Sequence, residues 1–575
     1  MVQGYSNSFM ESLNNVISKE LLKLSYNDRN AMNEEIHGVR CLAVEESPEL
    51  LKSSLSAFQR RIDEMEASKK EVYIEIIRLK QKHDRQHQHQ SNSFHQNNNI
   101  ASEGNWQHGR EQPAAASLDP TPPYSHVNDE AFRLRFLRCE LFDVEKAALR
   151  FVNYLKLAHE LFGEIALKRL IRITDFSKKE MRFIRKGNFQ VLPYRDRAGR
   201  NVLVLVGGLN SNKTDTLMEK TKCFFYIRDA VTRNSIESQR KGVVFVMDVA
   251  AWMKRDKSGN ICGIAEVNYT SHIFSWIRRV TTTVPTRMVA IHPCWPNVSG
   301  FRILNMLSIV SAKLTHVTNN MARMRMQMGT EIEMRYNLNG YGIPIHLLPL
   351  TETGAVKVKY FHEWLRIRKT LEAATKAEYD SDNGALGRAV VCPGLTDVVF
   401  RQGTPSMKNP GNVIFRDAMN SNLEDYHSQH MYLHGHHQQP GQIEAFVDDL
   451  IRTTENNKGG LFLEWDRRLG VWVKMMDRQR IKNKVTIAYR DATKRFLSGR
   501  RIIHLEAPTK NSGFNNGNDV TMSENIPDVG SYSFMEKGND SNDCCSSPRK
   551  RYRVGFVNGV PLRKDSNYNE SGRWF

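Results

Sequence analysis

From residue 49 to residue 82 the apolar positions recur at alternating steps of four and three: Leu51, Leu55, Phe58, Ile62 and Met65, then Val72, Ile76 and Leu79. After an N-terminal segment 1–48, this period predicts a coiled-coil seam over 49–82, with Lys69 as the one polar seam position. The alternative is an amphipathic helix laid on the next domain. Residues 83–127 are rich in Gln, Asn, His, Ser and Pro and read as a disordered linker. Its histidines, His83, His87, His89, His95 and His108, fit solvated linker better than metal ligands.

Helical spacing resumes with Leu134, Leu137 and Leu141, ending at Phe142. Asp143 is placed to cap a second helix whose inner face is Val144, Ala148, Phe151, Val152 and Leu155. Two short helices thus meet at a corner. Further on, Asp196 to Gly199 is turn chemistry between two extended runs, the second being Asn201 to Val206. A helical stretch and the nearly continuous apolar run GVVFVMDVAAW follow, then YTSHIFSWIRRVTTTVP and RMVAIHPCWP. Apolar strands alternating with helices predict an α/β domain over 128–365 with a mainly parallel sheet covered by helices.

A connecting helix and linker occupy 366–395, and a small α+β domain spans 396–492. There Asn409 to Asn412 reads as a turn before a helix. Gly459–Gly460 and Arg467 to Gly470 frame a hairpin expected to bring Phe462, Trp465 and Trp472 near one another. The Asn-, Ser-, Gly- and Asp-rich tail 505–575 reads as disordered.

Of 575 residues, 40% are hydrophobic and 25% charged, and the net charge is +19. That charge suits polyanions, either nucleic acid or an anionic membrane face. Eight scattered cysteines without a CxxC pair argue against a disulfide framework or structural zinc and point to a reducing compartment. The start lacks a signal-peptide pattern, and no apolar run approaches the length of a spanning helix, so a soluble, cytoplasmic protein is expected.

In order, FLRCELFDVEKAALRFV, the "D-x-x-G-R" turn in GNFQVLPYRDRAGRNVLVLV, GVVFVMDV ending at Asp248, VPTRMVAIHPCWPNVSGFRILNMLS and NLNGYGIPIHLLPLTETG resemble the CRAL-TRIO lipid-binding domain with its helical preface. The resemblance implies a pocket for one hydrophobic molecule, such as a phospholipid, a sterol-like lipid or an isoprenoid, and no other cofactor. Its gate would be FRILNMLSIVSAKL, where Ile303, Met306, Leu307, Val310 and Leu314 share a helical face. Phe274 and Ile277 join them as lining candidates, and Met321, Met324, Met326 and Met328 follow with adaptable thioethers. Lys178, Lys179, Arg182, Arg185 and Lys186 are candidates for peripheral docking on an anionic membrane. Members that bind phosphatidylinositol carry an acid where this chain has Thr286, so that lipid is not implied.

Residues 396–492 resemble an uncharacterised domain common in algal proteins, through Asp397, Val398, Gly403, Asn409 to Asn412, Phe415, Arg416, Gly459, Gly460, Phe462, Leu463, Gly470 and Trp472. That resemblance implies no activity. The basic helix RQRIKNKVTIAYRDATKR could lie on nucleic acid, which is not favoured because no base-reading motif accompanies it. His427, His430, His434, His436 and His437 read as a tolerated insertion rather than a metal site. SPRKRYR is a weak nuclear-address pattern, and Cys544 and Cys545 a weaker acylation one.

No nucleophile elbow, P-loop, HExxH or kinase signature occurs. The expectation is therefore a non-enzymatic lipid-binding or lipid-transfer protein, with a homodimer through 49–82. The alternative is a scaffold or nuclear interaction protein.

Overall fold

The computed structural model describes residues 21–98, 123–206, 216–248, 253–255, 261–264, 271–296, 322–349, 355–374, 387–401, 408–430, 440–457 and 459–505, with Ser18 and Ser406. Its main sheet contains β1 (Phe189–Val191), β2 (Asn201–Val206), β3 (Val243–Asp248), β6 (Met288–Pro296) and β7 (Gln327–Gly329) in the order β1-β2-β3-β6-β7. β1 runs antiparallel to β2, and the remaining neighbours are parallel. A separate antiparallel pair is formed by β4 (Met253–Arg255) and β5 (Ile261–Ile264). The domain is therefore α/β with a mainly parallel sheet, and every residue of β2 is buried, as expected for a strand covered on both faces.

Alternation along β2 divides the core in two. Leu203 and Leu205 face the helices Val144–Phe162 and Leu217–Arg233, whereas Val202, Val204 and Val206 share a core with Leu338, Ile343 and residues of the C-terminal lobe. The helical corner supplies much of the first core. Leu141 and Phe142 end the helix Glu130–Cys139 with φ of 52° and 65°, and the Phe142 amide bonds back to the Leu137 carbonyl at 2.7 Å. Phe136 thereby meets Phe151 edge-on at 5.2 Å. Fully buried Asp229 then joins the corner to the sheet's helices, pairing with Arg135 at 2.6 Å and with Arg233.

The expected seam over 49–82 is corrected. The helix Pro48–Glu64 ends at Met65, whose backbone is extended, and after one turn at Ala67–Lys69 a second helix, Glu71–Asn98, begins. Seam residues Phe58, Ile62 and Ile76 are fully buried within this chain, with Phe58 lying 5.4 Å from Phe151. An apolar stripe marks what must be covered, and here the chain's own helix Val144–Phe162 covers it. The linker expected from residue 83 likewise starts as continued helix through Asn98.

The boundary at 365/366 falls inside the helix Lys359–Ala373, which buries Phe361, Trp364 and Leu365 in the first core and packs Ile367 and Leu371 against Val471 and Val473. The second sheet contains β8 (Ala389–Val390), β9 (Val398–Phe400), β10 (Phe462–Asp466) and β11 (Val471–Lys474), ordered β8-β11-β10-β9. It starts before residue 396, and its last helix, Arg478–Leu505, extends past 492. Val399, Leu463 and Trp472 share a core with Val202 and Val204, so the two sheets are parts of one packed body.

In this lobe the turn residues act as strand partners. Asn412 brackets Val399, accepting from its amide at 2.7 Å and donating to its carbonyl at 2.9 Å, while Asn409 donates to the Asp397 carbonyl. Trp465 and Trp472 are cross-strand neighbours 5.1 Å apart, as expected. Phe462 is not with them. It stands an odd number of residues from Trp465, hence on the opposite face of β10, stacked on Phe400.

Candidate functional site

The two ends of the main sheet differ. At the amino ends of β2, β3 and β6 the polar groups form a sealed network. Asp196 accepts from the amides of Ala198 and Arg200 and from Arg200 Nε, which tightens the turn before β2. Arg200 reaches on to the carbonyls of Glu35 and Ile36 at the end of the helix Tyr26–Ile36. Glu35 itself takes Arg287 at 2.6 Å and Arg323 at 2.7 Å. Burial pushes its carboxyl up, but the two guanidiniums outweigh burial and hold it below the usual carboxylate range. The arginines of the "D-x-x-G-R" and "P-x-R" elements thus clamp an N-terminal helix. The sequence assigned 1–48 no role, and nothing in the composition of that segment distinguishes Glu35.

Thr286 belongs to the same end. Its hydroxyl donates to the Arg228 carbonyl at 2.7 Å and its own carbonyl accepts from Arg228. Arg228 is fully buried, and burial lowers its guanidinium to about 9. A cavity of about 500 Å³ adjoins Thr286, lined among others by Cys139, Leu141, Arg150, Thr281, Arg287 and Arg323. Its arginines are answered internally, Arg150 by Glu140 and the other two by Glu35.

At the carboxyl end the strands are less evenly buried. Burial along β3 falls away at Met247 and Asp248. From the ends of β2, β3 and β6 the chain continues into 207–215, 249–252 and 297–321, outside the described residues. The helix Ser271–Thr283 starts on this side, with half-buried Trp276 under the Arg279 guanidinium at 4.5 Å. Parallel α/β sheets bind ligands outside the carboxyl ends of their strands. The gate residues Ile303, Met306, Leu307, Val310 and Leu314 lie outside the described residues, as do the side chains of Phe274 and Ile277. What is described is where the segment 297–321 leaves the carboxyl end of β6.

The basic helix stands at this same end. The helix Lys178–Arg185 leads through Gly187 into β1, whose Phe189 pairs with Leu205 near the end of β2, and the Val206 amide donates to the Asn188 carbonyl at 2.7 Å. Ser177 and Glu180 form its capping box. Glu180, Phe183 and Ile184 form the buried side, and Lys178, Lys179, Arg182, Arg185 and Lys186 are all exposed. The helix is pinned by Lys222 to Glu180 at 2.9 Å and by Lys179 to Glu219 at 2.7 Å. The structure therefore brings the five predicted cations together, although Lys179 is partly neutralised.

The other basic candidate, the helix Arg478–Leu505, directs the cations of its first turns to its own lobe, Arg478 to Glu455, Arg480 to Glu464, and Lys482 to Glu444 and Asp448, while Arg490 and Lys494 further along are exposed. Among the described residues no His, Cys, Asp and Glu side chains cluster to hold a metal, and no helix is long and apolar enough to cross a membrane. No protein-family model matches the chain, and no curated protein matches it.

Proposed function

We propose that this chain is a non-enzymatic binder of one hydrophobic lipid, of the CRAL-TRIO kind. It docks on anionic membrane surfaces through the helix Lys178–Arg185 and exchanges its ligand at the carboxyl end of the main sheet. The observation that carries this reading is the coincidence of three features at that end: the exposed basic face, the half-buried end of β3, and the point where the apolar segment 297–321 leaves β6.

The physical logic is that each buried methylene of an acyl chain is worth about 0.8 kcal/mol, so the ligand leaves its slot only where another apolar phase replaces it. Each surface cation contributes on the order of 1 kcal/mol to holding the opening against anionic lipid. The rival reading, a scaffold or nuclear protein on nucleic acid, loses the cations Arg478, Arg480 and Lys482, which pair within their own lobe.

The test is native mass spectrometry of the full chain purified from a lipid-replete eukaryotic extract. One stoichiometric hydrophobic ligand, depleted in Met306→Trp, is expected. A folded chain that stays empty even after incubation with mixed liposomes overturns the reading.

A further inference from the structure

A cavity of about 110 Å³ lies where the two sheets meet. Five aromatic side chains line it: Tyr194 after β1, Tyr360 and Trp364 on the helix Lys359–Ala373, Trp465 on β10 and Trp472 on β11. Glu363 is the one carboxylate in that lining. An aromatic wall with one acid is the chemistry that recognises organic cations, because ring faces present negative potential without demanding hydrogen bonds.

The wall already holds a cation. The Arg401 guanidinium sits 4.1 Å from the Trp465 ring centre and 5.9 Å from that of Trp472, with two bonds to Glu363 at 2.9 and 3.0 Å. The fit is one-sided. Trp465 and Trp472 meet at 74°, and Tyr194 is inclined at 48° to Trp472, so the walls form a corner rather than the parallel slot that best suits a flat guanidinium. A corner of non-parallel rings suits a rounded cation. With Arg401 in place about 110 Å³ remains, and the space its guanidinium gives up adds to that, room for a compact group such as trimethylammonium.

We infer that this cavity is a binding site for the trimethylammonium group of a phosphocholine-type head, and that Arg401 is an internal stand-in which the ligand displaces. Two features support the exchange. The Arg401 side chain keeps about 25% of its surface in solvent, leaving it a path outward, while Glu363 is better buried and stays to face the incoming charge. Exposed Lys359 lines the mouth, where the phosphate attached to a choline would emerge. The site is built from other elements than the lipid slot, so its failure leaves the function proposed above untouched.

The test uses the full chain and titrates phosphocholine and phosphoethanolamine, read by tryptophan fluorescence and calorimetry. Arg401→Ala, and the gentler Arg401→Gln should the first variant lose its fold by circular dichroism, are compared with the wild type. Removing the stand-in is expected to strengthen phosphocholine binding at least about tenfold, since competition by an occupied state weakens the apparent affinity. Phosphoethanolamine, with a strongly hydrated primary ammonium, is expected to bind at least about tenfold more weakly than phosphocholine. Trp465→Ala in the Arg401 background is expected to abolish binding. Folded Arg401 variants that do not bind phosphocholine, that bind both head groups equally, or that keep binding without Trp465, overturn the inference. So does a trimethyllysine peptide that outcompetes phosphocholine.

Discussion

Glu35 and Arg287 are 252 residues apart in the chain and 2.6 Å apart in the fold. The pair, extended by Arg323, fixes the helix Tyr26–Ile36 across the amino end of the sheet.

Removing the Glu35 carboxylate leaves two largely buried guanidiniums without their counter-charge. Glu35→Ala is expected to cost about 3–5 kcal/mol, measured by urea denaturation. The carboxyl is held below its ordinary value in the fold, so its contribution is complete above the unfolded pKa and is lost as pH falls through the folded one. Stability of the wild type should therefore decline more steeply than that of Glu35→Ala on acidification below about pH 4.5, the ordinary value for this group. Parallel acid profiles would remove the ionic role assigned to Glu35.

Phe58 was expected in a seam between two chains and is found in the core of one. Phe58→Ala should lower stability by about 3–5 kcal/mol and leave the solution mass of the chain unchanged. Light scattering alongside thermal denaturation separates the two readings. A halved mass at native stability would return Phe58 to a dimer interface.

Reversing Lys178, Arg182, Arg185 and Lys186 to Glu alters only exposed side chains of one helix and leaves the Lys179–Glu219 contact in place. Cosedimentation with phosphatidylserine vesicles should fall at least about tenfold, given roughly 1 kcal/mol per charge near the surface. Wild-type binding should weaken with added salt in the same assay. Equal binding by the reversed variant would exclude this face as the docking surface.

At Gly411 an added Cβ would lie 2.1 Å from the Asp397 carbonyl oxygen, with further backbone atoms of that residue within 2.9 Å. Gly411→Ala is expected to cost about 1–3 kcal/mol or more, because backbone rather than a flexible side chain must give way. Hydrogen exchange should show the loss first at Val399, which Asn412 brackets. Unchanged protection at Val399 would detach the turn from β9.

Much of the architecture is visible in the periodicities. The apolar runs of β2 and β3, the corner between Leu141 and Asp143, and the Trp465–Trp472 pairing follow from local rules of alternation, helix capping and turn chemistry. The candidate site was legible only in part. The five cations of the basic helix stand out as a charge pattern, but their position beside the end of β2 depends on the pairing of Phe189 with Leu205. The aromatic corner was half visible, with Trp465 and Trp472 in one hairpin, while Tyr194 and Trp364 arrive from elements far earlier in the chain.

By itself, the sequence determined which faces must be buried, where strands and helices run, and that a mainly parallel sheet results, because burial patterns repeat with the period of the local backbone. Only the tertiary structure decided what covers each face: Val144–Phe162 over the stripe of Phe58 and Ile76, and Glu35 over Arg287. An apolar stripe or a charge specifies the kind of partner it needs, not its address, and the address depends on packing between residues hundreds of positions apart.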